Sequence, residues 1–150
     1  PGTVDSEQLW KQLAQLKSGQ AIDRPVYDFP THMPKVETRR TEPRPVILID
    51  GILILQHKPL RDLLDLGIFV ECDSETRFAR RLERDVRERG RTAQSVHDQF
   101  ANQVGPMHDI HVEPSKIHAN IVVNSQQSEM GFESLFDGVT SLRTVSYTQI

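Results

Sequence analysis

The stretch that most constrains the fold is Val46-Ile-Leu-Ile-Asp-Gly-Ile-Leu-Ile-Leu55. Its first half is unbroken apolar, the pattern of a strand covered on both faces. Strands of that kind belong to parallel sheets, and parallel neighbours need a crossover connection, usually a helix. The rest of the chain supplies both element types in alternation. Gly67-Ile-Phe-Val-Glu-Cys72 and Ala119-Asn-Ile-Val-Val123 read as further core strands. Asp5 or Ser6 is placed to cap a helix carrying Leu9, Leu13 and Leu16 and closed by Gly19. Residues 25–42, broken by Pro30 and Pro34, predict short extended pieces forming a hairpin arm. A short helix is expected over Leu60 to Leu66, and Asp73 or Ser74 starts the next one. Thr92 caps another, with Val96, Phe100 and Val104 four apart, which Gly105-Pro106 should end or kink. A polar loop over Ser125 to Glu129 precedes a last helix over Gly131 to Arg143. The expected class is α/β with a largely parallel sheet and flanking helices.

Composition narrows the function. The 150 residues suit one domain or most of one, and 37% hydrophobic content is enough for a core. A net charge of −3 argues against a general nucleic-acid binder. No apolar run approaches the ~18 residues that cross a bilayer. No secretory h-region opens the chain, and Cys72 stands alone, so a disulfide framework is ruled out and a reducing, cytoplasmic setting is expected.

Chemistry concentrates in Arg77-Phe-Ala-Arg-Arg-Leu-Glu-Arg-Asp-Val-Arg-Glu-Arg-Gly-Arg91, where seven arginines fall within fifteen residues. On a helix, Arg77, Arg80, Arg81 and Arg84 share an arc of roughly 100°, with Phe78, Leu82 and Val86 as a separate apolar stripe. Gly90 suits a left-handed cap that leaves Arg89 and Arg91 at a loop. Guanidinium forks grip phosphate oxygens two at a time, so this segment suits a lid over a polyphosphate. The blander reading is a solvated face laced by Glu83–Arg87, Arg81–Asp85, Arg84–Glu88 and Asp85–Arg89 at i,i+4 spacing.

Three further constellations bear on the site. Ile47-Leu-Ile-Asp50-Gly51 has the form of a Walker B element, whose carboxylate can hold Mg²⁺ at the carboxyl end of a strand; otherwise Asp50 opens a turn. Tyr27, Asp28, Phe29 and His32 join aromatics that can stack on a base with an imidazole that can hydrogen-bond it; otherwise they cover the core. His108-x-x-His111 with Glu113 lacks a third ligand at a spacing that suits zinc. Cys72 reads as a strand cysteine without an activating signature.

Taken in order, these blocks resemble the uridine kinase (uridine–cytidine kinase) family of the P-loop kinases, which also include phosphoribulokinase. The matching residues are Pro25-x-Tyr27-Asp28-Phe29-x-x-His32, Val46 to Leu53, Leu60-Arg-Asp-Leu63, Ile68-Phe-Val70 and Arg80-Arg-x-x-Arg-Asp-Val-x-Glu-Arg-Gly-Arg91. Gln99, Glu113-Pro-Ser-Lys116 and Ala119-x-Ile-Val-Val123 complete them, so the similarity runs from about residue 7 to 123. The resemblance implies transfer of the γ-phosphate of ATP, with Mg²⁺, to the 5′-hydroxyl of uridine or cytidine, in a protein that is often a homo-oligomer. It implies a nucleoside-binding arm at about 25–42 with Tyr27, Phe29 and His32, and a lid at about 74–113. Within the lid, Arg84 and Arg89 would act on the phosphates. Arg81, Arg91 and Gln99 would hold the substrate, and Asp50 would help place the metal.

The sequence departs from that pattern at several points. Asp50 stands where the family has Glu, Pro34 where the arm has Arg, and Gly105 and His108 where the family has Lys and an aromatic. His118-Ala-Asn120 replaces Tyr-Ala-Asp, and Asn124-Ser-Gln126 replaces Pro-Arg-Gly. A phosphate cradle of the form Gly-x4-Gly-Lys-Ser/Thr is missing from the 150 residues, since none of the eight glycines precedes a lysine. By the resemblance, that cradle, the first strand and the acid that activates the hydroxyl align before Pro1. The expectation is the C-terminal two-thirds of one kinase domain, inactive by itself. A non-catalytic relative that binds a nucleotide or a partner, and a P-loop kinase with another acceptor such as a phosphorylated sugar, stay open.

Overall fold

The computed structural model describes residues 6–28, 33–125 and 145–149, with side chains placed over 6–26 and 37–125. The fold is α/β. The chain divides into two compact units, Pro1–Leu64 with Phe136–Ile150, and Asp65–Leu135.

In the first unit, helix α1 (Ser6–Lys17) buries Leu13 and Leu16. It ends where Gly19 takes φ 83°, a left-handed conformation that other residues adopt at a cost. Strands β1 (Ile22–Asp28) and β2 (Met33–Thr41) form the expected antiparallel hairpin, with a register shift between Pro25 and Tyr27. Pro25 has no N–H to give the ladder, so an irregularity beside it is the expected accommodation. Strand β3 (Val46–Asp50) follows, then helix α2 (Lys58–Arg61), whose Leu60 is 2% exposed. The helix expected over Leu60 to Leu66 therefore starts earlier and is a single turn, because Pro59 fits its first turn. Strand β6 (Val145–Gln149) pairs parallel to β3, Val46 opposite Val145 and Asp50 opposite Gln149.

In the second unit, β4 (Ile68–Glu71) and β5 (Ile121–Asn124) pair in parallel, Ile68 opposite Ile121. Asn120 Oδ1 accepts the Gly67 N–H at 2.7 Å and locks the entry to both strands. Phe69 is buried, but Ile68 and Val70 on the opposite face are 37% and 47% exposed. The expectation of a strand covered on both faces is corrected here. Cys72 lies one residue past the strand and is half-buried rather than part of it. Helix α3 (Ser74–Arg89) returns the chain, and α4 (Ala93–Gln99) packs on it through Val96, which is fully buried. Phe78 meets Phe100 and the edge of His97, with ring centres 5.2 and 5.8 Å away.

Gly105-Pro106 does not end this helix. The turns widen to π-helix over Phe100–Val104, continue through α5 (Gly105–Met107), widen again over His108–Val112, and tighten to a 3-10 helix over Glu113–His118. The i→i−5 bond from Gly105 N–H to the Phe100 carbonyl opens the helix just ahead of Pro106, which then sits in the first turn of α5. The expected helix over Gly131 to Arg143 lies outside the described residues.

Candidate functional site

The site is built on α3, toward its C-terminal end. At its start Asp73 caps the helix, accepting from the Thr76 N–H at 2.7 Å and the Thr76 hydroxyl at 2.8 Å. Those two bonds hold its carboxyl below the usual carboxylate range. At its finish Gly90 adopts φ 63°, and the N–H groups of Gly90 and Arg91 both return to the Asp85 carbonyl. The reversal brings Arg91 back beside the last helical turn.

The side chain of Asp85 sits at the centre of what this produces. The residue is 0% exposed. Its Oδ1 accepts from Arg84 at 3.0 Å and lies 3.3 Å from Arg89, while its Oδ2 lies 3.5 Å from both Arg81 and Arg91. Helix α4 braces the inner pair. Gln99 Oε1 accepts from Arg81 at 2.9 Å and from Arg91 at 2.5 Å, and the Ser95 hydroxyl accepts from Arg91 at 2.9 Å. Thr92, whose hydroxyl caps the Ser95 N–H at 3.2 Å, fixes the start of α4.

Four guanidinium groups share one carboxylate, so the cluster carries a surplus of positive charge. Burial alone would raise the Asp85 carboxyl, but the Arg84 hydrogen bond and the charges of Arg81, Arg84 and Arg89 outweigh it and hold the group below its usual range. Burial lowers Arg81, and Asp85 opposes that, while Arg84, Arg91 and Arg89 add to it. Arginine stays charged throughout. The Arg84 and Arg89 side chains are each 44% exposed, against 24% for Arg81 and 28% for Arg91. The outer pair therefore meets solvent, and an anion, first.

The structure sorts the remaining arginines differently from the helical arc. Arg77 donates to the Cys72 carbonyl at 3.1 Å, and Arg80 lies 4.0 Å from the Cys72 sulfur. Arg87 pairs with Glu83 and Glu88, leaving Arg84 to Asp85 rather than to Glu88. Val86 is 43% exposed, so the expected apolar stripe stops at Leu82. Asp50 lies exposed at the carboxyl end of β3, in the other unit. Tyr27 lies in β1 opposite Pro34, and Phe29 and His32 lie outside the described residues. His108 lies 3.4 Å from Asp109, and no group of three or more His, Cys, Asp or Glu gathers as a metal site among the described residues. No helix among them is long and apolar enough to cross a membrane. What the sequence reading missed is Asp85 as a hub and Ser95 as a brace. The signal was present in Arg81, Asp85 and Arg89 at successive i,i+4 positions just before Gly90.

The family model described as phosphoribulokinase/uridine kinase matches residues 1–130. The chain is 45% identical over 123 residues to a uridine kinase of Clostridium tetani, an overlap of 82% of this chain and 59% of that protein. It is 44% identical over 123 residues to a uridine kinase of Ligilactobacillus salivarius (82% and 58%), and 42% identical over the same length to one from Lactococcus lactis (82% and 60%). The chain spans about three fifths of the length of these relatives.

Proposed function

Because the chain belongs to the phosphoribulokinase/uridine kinase family, we propose that the intact protein is an ATP-dependent pyrimidine nucleoside kinase. The observation that carries the reading is the cluster of Arg81, Arg84, Arg89 and Arg91 around buried Asp85, in a chain 45% identical to a uridine kinase. Phosphoryl transfer asks little covalent chemistry of a protein. It asks for positioning, and for positive charge where negative charge spreads over the transferred group.

In this reading Arg84 and Arg89 are the catalytic pair. Their exposed forks contact the phosphate chain and stabilise charge on the moving phosphoryl group. Arg81 and Arg91, held by Gln99, bind the substrate beside them, and Gln99 adds an amide toward the nucleoside. Tyr27 and Phe29 stack on the base and His32 hydrogen-bonds it, from the hairpin arm at about 25–42. The lid extends over about 74–113. An exposed carboxylate at a strand end, as Asp50 is, fits Mg²⁺, which takes one or two protein carboxylates and completes its shell with water and phosphate. Asp50 would hold the ion, and the ion would supply positive charge to the phosphate chain. The 150 residues contain no Gly-x4-Gly-Lys-Ser/Thr cradle, so the reaction is proposed for the protein that carries one, in the cytoplasm and as a homo-oligomer.

A substrate panel tests the proposal. Intact protein with ATP and Mg²⁺ should phosphorylate uridine or cytidine at the 5′-hydroxyl in preference to phosphorylated sugars. Turnover of a sugar phosphate alone would move the protein to another acceptor. Nucleotide binding without turnover of any acceptor would make it a non-catalytic relative.

A further inference from the structure

We infer that Asp85 is the positioning residue of the arginine cluster, its buried carboxylate holding four guanidinium groups in a preassembled fork for phosphate. The inference rests on the proposed phosphate role of that cluster, and it concerns a residue that touches no substrate. Each oxygen serves one pair. Oδ1 holds Arg84 and Arg89, the exposed pair, and Oδ2 faces Arg81 and Arg91, the pair that Gln99 also holds. One carboxylate plane thereby fixes the spacing between an outer and an inner pair.

The physical case begins with repulsion. Four like charges within reach of one point disperse unless something gathers them, and in water they would do so as flexible side chains. A carboxylate on the surface would gather them weakly. Asp85 is 0% exposed, so its field is poorly screened and its own burial is compensated by the arginines. Burial also hides its negative charge from an incoming anion, which meets the half-exposed forks of Arg84 and Arg89. The backbone contributes as well, since the Asp85 carbonyl receives the Gly90 and Arg91 N–H groups and sets where Arg91 re-enters. The depressed carboxyl of Asp85 agrees with a group kept ionised by its partners. Preassembly matters because donors fixed before reaction need no reorganisation during it.

The sign of one measurement separates positioning from mere charge balance. The isosteric variant Asp85→Asn adds one net positive charge to the cluster. If Asp85 serves as a counter-charge alone, the variant binds inorganic tripolyphosphate more tightly. If it positions the forks, the variant binds more weakly despite the added charge, by about tenfold or more, the scale of a lost charge-assisted bond. Calorimetry on the intact protein at fixed ionic strength reads this directly. Activity supplies a second readout. Asp85→Asn should lower kcat more than it raises KM for the nucleoside. Added to Arg84→Ala, it should cost less than it costs alone, because Arg84 is one of the four groups it holds. Tighter or unchanged tripolyphosphate binding by Asp85→Asn, or fully additive losses, would overturn the inference and leave the phosphate reading standing. Wild-type protein that binds no tripolyphosphate would overturn the phosphate reading instead, and the inference with it. Should Asp85→Asn fail to fold, NMR of the unmodified protein decides. Preassembly predicts a slowly exchanging Arg84 Nε–H at neutral pH without anion, and a rapidly averaged signal would sink it.

Discussion

At the scale of single residues, the two kinds of arginine on α3 should behave differently. Arg84 shares a buried carboxylate, whereas Arg87 pairs with exposed Glu83 and Glu88 and is itself 67% exposed. In the intact protein Arg84→Ala should lower kcat/KM by about 100-fold, the scale of losing a charge-stabilising donor at the reacting group. Arg87→Ala should change it less than about threefold, since exposed ion pairs contribute little. Equal effects would return the whole run to a solvated face. The sequence announces the number of arginines but not this division. Glu83–Arg87 and Arg81–Asp85 have identical spacing, and what buries one acid and exposes the other is the chain reversal at Gly90 and the cover of α4. Asp85 carries a pH consequence too. Its folded-state carboxyl lies below the ordinary range because of Arg84, Arg81 and Arg89. The stability it contributes is therefore full above the unfolded carboxylate value of about 3.9, and is lost as pH falls through the folded one. The melting-temperature gap between wild type and Asp85→Asn should be constant from pH 7 to about pH 5 and close only in stronger acid. A gap that closes near neutral pH would show that Asp85 is not held ionised.

The helix ends are where local sequence and structure agree best. Asp73, Thr92 and Gly90 are legible because a cap is a local bargain: a short polar side chain answers an orphan N–H, or a residue without Cβ turns the chain. The β1–β2 hairpin is legible only in outline, since Pro34, expected to break the extended pieces, lies inside β2 opposite Tyr27. Gly105-Pro106 does not end the helix, because the rule that it should assumes i→i−4 geometry. The chain escapes by widening to a π-turn, with the Gly105 N–H on the Phe100 carbonyl. Gly90 gives the sharpest prediction at this scale. A Cβ there would meet nothing within 4 Å, so Gly90→Ala suffers only from φ 63°. The left-handed strain should cost about 1–2 kcal/mol in denaturant unfolding. Because Gly90 also returns Arg91 to Asp85, the variant should lose tripolyphosphate affinity as well. Lost stability with unchanged affinity would mean that Arg91 reaches the cluster without the turn.

Across the whole molecule, the sequence foretells class better than pairing. Alternating apolar strands and amphipathic helices give α/β, but β6, written Val-Ser-Tyr-Thr-Gln, carries no run of core residues and joins β3 from about two thirds of the chain away. Parallel pairing of this kind is a long-range event that no local pattern encodes. The exposed faces of β4, with Ile68 and Val70 open, were likewise hidden in a pattern that reads as doubly covered. These facts bear on what 150 residues can do by themselves. The arginine cluster, with Asp85, Ser95 and Gln99, lies wholly inside the unit Asp65–Leu135, so anion binding has all its parts. Phosphoryl transfer does not, because no Gly-x4-Gly-Lys-Ser/Thr loop occurs in the sequence to cradle the phosphate chain. Charge without positioning binds the ground state and the transition state alike, which gives affinity but no rate. The purified 150-residue chain should therefore bind tripolyphosphate, lose that binding in Arg84→Ala, and show no ATP-dependent phosphorylation of uridine or cytidine above the enzyme-free background. Radiolabel transfer from ATP and calorimetry on one preparation read both properties together. Turnover by this chain, free of contaminating kinase, would mean that the cluster performs transfer without a cradle. Absence of both turnover and tripolyphosphate binding would mean that the cluster assembles only in the longer protein.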